Sequence, residues 1–71
     1  MKDQYVKIKN LMNTRQLAAY LHMSTSFVEK MRWRKVGPPY YKIGGRIFYV
    51  LQEVDDWLRL QRRVPLGGAY V

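Results

Sequence analysis

The amino-acid sequence predicts one small α+β domain built from three short helices and a β-hairpin. Three segments have apolar residues at the spacing of amphipathic helices, and a fourth has β-branched and aromatic runs around Gly44-Gly45. The chain has 71 residues and no cysteine, so it holds at most one domain and no disulfide. Because a chain of this size buries only about 60% of its unfolded surface, we expect marginal stability without a partner.

The first helix is predicted over residues 14–22. Asn13 is a favourable N-cap, and Gln16 completes a capping box three residues later. Met12 is placed to pack on Leu17 as a hydrophobic staple. The apolar side of the helix consists of Leu17, Ala18 and Leu21. A helix this short is stable only when it packs against other parts of the fold.

The second helix is predicted over residues 25–34, with Ser24 as its N-cap. Its apolar side consists of Phe27, Val28 and Met31, and its other side is polar. Cations follow toward its end, where they suit the helix dipole.

A β-hairpin is predicted over residues 40–50, after Gly37-Pro38-Pro39 stops any helix. Its two-residue turn needs positive φ at both central positions, which Gly44 and Gly45 provide. The predicted cross-strand pairs are Ile43 with Arg46, Lys42 with Ile47, Tyr41 with Phe48 and Tyr40 with Tyr49.

A third helix is predicted over residues 52–63, with its acidic residues early and its arginines late. We interpret it as a packing helix, and we expect the core between it and the hairpin to hold Tyr40, Phe48, Tyr49 and Trp57. The domain boundaries that follow are a basic arm at residues 1–10, a folded domain at residues 11–63 and a flexible tail at residues 64–71.

The positive charge lies in the first three quarters of the chain. The net charge is +8, from 13 lysines and arginines against five acids. From residue 53 onward three acids balance three arginines. The net +8 therefore comes from the ten basic residues and two acids before residue 53. A focused basic surface attracts nucleic acid or an acidic membrane, with affinity that falls as salt rises. Charge alone does not choose between them.

The residue types argue against an enzyme. With no cysteine and His22 as the single histidine, thiol nucleophiles and most zinc sites are excluded. Asp55 and Asp56 are adjacent, so they point apart on a helix and do not form a paired-carboxylate site. We predict no catalysis, no cofactor and no metal. No stretch approaches the roughly 20 apolar residues that cross a bilayer, and no signal peptide is visible, so we expect a cytoplasmic protein away from membranes.

The first two helices have the spacing of a helix-turn-helix motif. Ala18 is small enough to let the helices cross closely, and His22 occupies the turn position that usually holds glycine. His22 is therefore expected to adopt a positive φ at some energetic cost. Val28 and Met31 anchor the second helix inward. In this motif the second helix enters the major groove of DNA.

Several short stretches are distinctive when they are taken together. They are Asn13-Thr14-Arg15-Gln16-Leu17-Ala18 with Leu21, Met23-Ser24, Gly37-Pro38-Pro39-Tyr40, Lys42-Ile43-Gly44, Tyr49 and Val54-Asp55-Asp56-Trp57-Leu58. Over about residues 11 to 60 the chain resembles the excisionase and AlpA-like branch of the MerR-type winged helix-turn-helix proteins. It departs from that pattern at His22, Met31 and Val36, where glycine, an aromatic and a polar residue are common.

This resemblance implies a winged helix-turn-helix protein of a phage, plasmid or integrative element, with the hairpin as the wing. It implies binding to repeated sites on double-stranded DNA, as a cooperative row of monomers. The implied bending of that DNA helps an integrase run in the excisive direction, or alters transcription. The implied partners are double-stranded DNA, further copies of the chain on adjacent sites, and an integrase.

Three sets of residues are candidates for contact with DNA. The groove-facing set on the second helix is Thr25, Ser26, Glu29, Lys30 and Trp33. The phosphate-binding set is Arg15, Arg32, Arg34 and Lys35. The wing set is Lys42, Gly44, Gly45 and Arg46. The alternatives are a solvated helix face for the first set and a plain hairpin turn for the glycines.

Two other functions stay open on the sequence. One is a small phage or plasmid transcriptional regulator without a recombination role. The other is a basic module that binds an acidic protein or a membrane surface, although its basic residues do not lie along one long amphipathic helix.

Overall fold

Three helices and three strands follow one another closely in the computed structural model, which describes residues 10–65. They are β1 (Leu11–Asn13), α1 (Thr14–Leu21), α2 (Thr25–Trp33), β2 (Tyr41–Ile43), β3 (Arg46–Val50) and α3 (Leu51–Leu60). The predicted α+β, winged helix-turn-helix class is confirmed. The predicted basic arm, apart from residue 10, and most of the predicted tail lie outside the described residues.

The two caps predicted from the sequence are confirmed. At α1 the side chain of Asn13 accepts from the backbone N–H of Gln16 at 2.8 Å, and the side chain of Gln16 accepts from the N–H of Asn13 at 2.9 Å. At α2 the Ser24 hydroxyl accepts from the N–H of Phe27 at 3.0 Å. Each bond satisfies a backbone group that a helix end would otherwise leave without a partner.

The sheet is antiparallel, with strand order β1-β3-β2. The predicted hairpin register is confirmed for three pairs, Tyr41 with Phe48, Lys42 with Ile47 and Ile43 with Arg46. The predicted hairpin is joined by a third strand that the sequence analysis did not predict, β1, which pairs Leu11 with Val50 and Met12 with Tyr49. A three-residue strand is too short to show alternation in the sequence, and it forms here through its pairing with β3.

Helix α3 ends three residues earlier than predicted, at Leu60. The side chain of Gln61 donates to the carbonyl of Trp57 at 3.0 Å, and Arg63 donates to that of Leu60 at 3.4 Å. The N–H groups of Gln61 and Arg62 donate to the carbonyls of Leu58 and Arg59, so backbone and side-chain donors together satisfy the last turn.

The core takes buried side chains from four elements. They are Leu17 and Ala18 of α1, Val28 of α2, Tyr49 of β3 and Val54 of α3, with Met12, Leu21, Met31 and Ile47 packed around them. The aromatic core predicted from the sequence is therefore only partly correct. Phe48 and Trp57 are half-buried and Tyr40 is exposed. Phe48 alternates with Tyr49 along β3 and so faces the other side of the sheet.

Two tyrosines join α3 to the rest of the fold. The hydroxyl of Tyr20 in α1 donates to Asp55, and that of Tyr41 in β2 donates to Glu53 at 2.9 Å. These hydrogen bonds, aided by desolvation and the carboxylate charge, raise the pKa of both tyrosines above the ordinary value. The prediction that α3 is a packing helix agrees with these contacts.

His22 is left-handed, with φ 59° and ψ 40°, as its turn position predicts. The N–H groups of His22 and Met23 donate back to the carbonyls of Ala19 and Ala18, which closes the end of α1.

Replacing His22 with glycine is expected to stabilise the fold by about 0.5–1 kcal/mol. The left-handed conformation costs a residue with a side chain roughly 1–2 kcal/mol, and glycine relieves this cost. The greater backbone entropy of glycine in the unfolded chain offsets part of the stabilisation. Urea unfolding of the two proteins measures the difference. His22→Ala is the matched control, because alanine keeps the steric conflict and removes only the imidazole. Equal stability of the glycine and alanine variants would contradict the role of backbone strain.

Candidate nucleic-acid interface

The outward side of α2 brings together most of the predicted groove-facing residues. Val28 is buried, and the helical turn places Ser26, Lys30 and Trp33 on the opposite side, where all are exposed. A shallow surface depression of about 500 Å³ is lined by Ser26, Glu29, Lys30, Arg32 and Trp33. Thr25 is also exposed, at the first position of the helix. The assignment of these residues to DNA stays a prediction, but their common direction agrees with it.

Arg32 differs from the other predicted phosphate-binding residues, because it is half-buried. Its Nη1 donates to the hydroxyl of Tyr49 at 2.9 Å and to that of Thr14 at 3.4 Å. Its guanidinium carbon also lies 5.9 Å from the centre of the Tyr40 ring, within range of a cation–π contact. Arg32 therefore ties α2 to β3 and to the start of α1, a role that the sequence analysis missed. The four-residue spacing from Val28 was the signal, since it places Arg32 beside the inward stripe.

Two further predicted phosphate-binding residues, Arg34 and Lys35, follow the end of α2. Lys35 is left-handed with φ 60°, and the N–H groups of Lys35 and Val36 donate to the carbonyls of Arg32 and Met31, both at 3.0 Å. This arrangement closes the helix and leaves Arg34 and Lys35 exposed just beyond it. Arg32 and Lys35 line one depression together with residues 36–40. Arg15 is exposed in the first turn of α1.

Gly37 shapes the turn that follows α2. Its φ is +98°, and a Cβ built on it would lie 3.2 Å from the Cβ of Met31. A side chain at this position would therefore strain the backbone and crowd Met31 on the inner side of α2, so the turn favours glycine.

The tip of the hairpin is bare and basic. Gly44 and Gly45 have φ of +57° and +83°, as the predicted turn requires, and a Cβ built on either would have no atom within 4 Å beyond its chain neighbours. Lys42 and Arg46 are exposed on the two strands. The guanidinium carbon of Arg46 lies 5.7 Å from the centre of the Phe48 ring, a contact that limits its side-chain freedom.

Each carboxylate of α3 accepts at least one hydrogen bond from a neighbouring side chain. Asp55 and Glu53 accept from tyrosines, as described above, and Asp56 accepts from Gln52 at 3.1 Å and from Arg59 at 3.0 Å. The Asp56–Arg59 contact is the one ion pair within residues 10–65. The cations of α2 and the hairpin are thus not neutralised by acids of the described part of the chain. Exposed cations without acidic partners attract polyanions.

Two further findings concern residues 10–65 alone. They contain no cluster of three or more side chains suited to hold a metal ion. No helix among them has both the length and the apolar character to cross a membrane.

A family model described as a helix-turn-helix domain matches residues 11–62 of the chain. The match begins at the first residue of β1 and extends just past α3, so it includes α1, α2 and the hairpin. No curated protein matches the chain.

Proposed function

The chain belongs to this helix-turn-helix domain family of DNA-binding proteins, and we propose that it binds double-stranded DNA sequence-specifically as the excisionase of a mobile element. The observation that supports specific binding is the shared direction of the exposed Ser26, Lys30 and Trp33, opposite the buried Val28. A helix presented in this way fits the major groove, where base edges differ in their donors and acceptors.

The proposed roles follow from the chemistry of each side chain. Thr25 and Ser26 donate to bases or phosphates at the start of α2, and Lys30 donates to the acceptors of guanine. Glu29 accepts from the amino group of cytosine, and its charge repels DNA that does not offer one. Trp33 completes the set at the other end of the helix.

The remaining cations hold the domain on the DNA backbone. Phosphate contacts are assigned to Arg15, Arg34 and Lys35, and to the free nitrogens of Arg32. The wing contacts a minor groove or phosphates through Lys42, Arg46 and the bare Gly44-Gly45 tip. These contacts carry no base information and give affinity that depends on salt.

The excisionase role is supported by the resemblance and by the small size of the reading element. Helix α2 has nine residues, about 14 Å of helix, which corresponds to about four base pairs. So short a contact favours repeated sites, further copies of the chain and an integrase as the sources of specificity. A transcriptional regulator without a recombination role is the second candidate. A module for acidic proteins or membrane surfaces is less favoured, since the outward side of α2 is a mixed polar surface that includes Glu29.

Substitutions on the outward side of α2 and past its end test the assignment of base and phosphate contacts. Lys30→Ala and Ser26→Ala are expected to change sequence preference, at about 1–3 kcal/mol for a lost base contact. Lys35→Ala is expected to weaken all sequences alike and to lower the slope of log affinity against log salt by about one. Retardation of specific and random duplexes over a salt series measures both effects.

The matched comparison is between Lys30 and Lys35, because the same side chain is lost on the outward side in one case and past the helix end in the other. Equal losses on specific and random duplexes in all three variants would contradict the assigned groove face. A folded protein that retarded neither duplex at low salt would contradict DNA binding itself. Footprints on direct repeats at an attachment site would favour the excisionase role, whereas footprints at promoters alone would favour the regulator.

A further inference from the structure

Trp33 is more exposed than the other large apolar side chains of residues 10–65. Its exposed fraction is 86%, against 75% for Leu60 and 58% for Val36. Packing within the described fold does not account for an indole at this position. It belongs to a nine-residue helix whose inner side holds the buried Val28, so it points away from the core.

The position of Trp33 on α2 relates it to the other groove-facing residues. Ser26 lies seven residues earlier, two helical turns away on the same side, and Glu29 and Lys30 lie between them. All four line the same surface depression of about 500 Å³. Seven residues of helix rise about 10 Å, which equals about three base-pair steps. Trp33 and Ser26 are therefore spaced to reach different bases of one short site.

The chemistry of the indole limits what it can recognise there. Tryptophan offers one donor and no acceptor, and most of its surface is apolar. Among the base edges in the major groove, the apolar group is the C5 methyl of thymine. We propose that Trp33 contacts a thymine methyl group about three base pairs from the base that Ser26 reaches. This inference rests on the proposed DNA binding and adds an apolar reader to it.

The test compares two synthetic duplexes that share one mixed sequence of all four bases and differ only in methyl groups, one with thymine and one with uracil in place of thymine. The wild-type chain is expected to bind the thymine duplex about fourfold more tightly, the worth of one buried methyl or methylene group. Trp33→Gln is expected to bind both duplexes equally. Fluorescence anisotropy of labelled duplexes at one salt concentration measures the four affinities.

Leu60→Gln is the matched control, because it also removes a large exposed apolar side chain but lies on α3. It is expected to keep the full preference for thymine. Equal wild-type affinity for the two duplexes, or an unchanged preference in Trp33→Gln, would overturn the assignment of Trp33 while DNA binding stood. Failure of the wild-type chain to bind either duplex would instead remove the proposed function.

Quenching of tryptophan fluorescence by acrylamide gives an independent readout. Trp33 is expected to lose its access to acrylamide when the thymine duplex is added, whereas the half-buried Trp57 changes little. In Trp33→Gln the remaining tryptophan is Trp57, so DNA is expected to give no protection from acrylamide quenching. Equal access of acrylamide to Trp33 with and without saturating thymine duplex would overturn the thymine contact. Protection by an added protein but not by DNA would overturn it as well.

Discussion

Leu17→Ala is expected to remove most of the folding stability of this domain. Leu17 has no exposed surface and lies in a core to which α1, α2, β3 and α3 contribute. A buried leucine replaced by alanine costs about 2–5 kcal/mol, and a core of this size rarely supplies more than about 3–5 kcal/mol. The two figures are comparable, so a large part of the variant should be unfolded at 25 °C. Far-UV circular dichroism with urea unfolding measures the loss.

Leu60→Ala is the control, since it makes the same chemical change at a side chain that is 75% exposed. Its stability is expected to stay within about 0.5 kcal/mol of the wild type. Excess duplex DNA should restore part of the helical signal of Leu17→Ala, because a ligand at 100 times its Kd adds about 2.7 kcal/mol to the folded state. Similar stability of the two alanine variants would contradict the described core.

Local signals in the sequence were enough to predict most of the fold. The caps at Asn13 and Ser24 and the Gly44-Gly45 turn depend on residues close together in the chain, and each was predicted at its observed position. Strand β1 was missed because its three residues form a strand only when β3 lies beside them. The interior was predicted less well than the elements, since the exposure of Tyr40 depends on how the hairpin meets α2.

The candidate site, like the fold, was predicted where local sequence determines it and missed where distant residues meet. Helical periodicity is sufficient to place Ser26 and Lys30 opposite Val28, so the groove-facing side could be predicted before any tertiary contact was known. The role of Arg32 could not, because its partners Thr14 and Tyr49 come from elements that are distant in sequence. The spacing from Val28 indicates that Arg32 lies beside the inward stripe, but its hydrogen-bond partners are identified only by the tertiary structure.

The position of Arg32 has a consequence for DNA binding. Helix α2 and strand β3 must keep a fixed relation if the proposed groove and wing contacts are to form together. Arg32 joins them through the hydroxyl of Tyr49, whose residue is only 2% exposed. Both of its hydrogen bonds use Nη1, which leaves the other guanidinium nitrogens for a phosphate. One residue thus supports the geometry of the site and contributes to its charge.

Arg32→Ala is expected to lower the free energy of unfolding by about 1.5–3 kcal/mol, the range for a hydrogen bond to a charged group. It leaves the hydroxyl of Tyr49, a residue that is 2% exposed, without this donor, which adds to the cost. Tyr49→Phe removes the acceptor instead. In a double-mutant cycle measured by urea unfolding, the two losses are expected to be clearly less than additive, because the residues share one bond. Additive losses would show that the contact between them contributes little.

DNA binding separates the two roles of Arg32. If its free nitrogens meet a phosphate, Arg32→Ala lowers the slope of log affinity against log salt by about one, and Tyr49→Phe leaves that slope unchanged. We expect this result, measured at a temperature where both variants are folded. An unchanged slope in both variants would remove Arg32 from the phosphate-binding set and leave it as a positioning residue. A lowered slope in both would show that the Tyr49 bond itself holds the guanidinium against the DNA backbone.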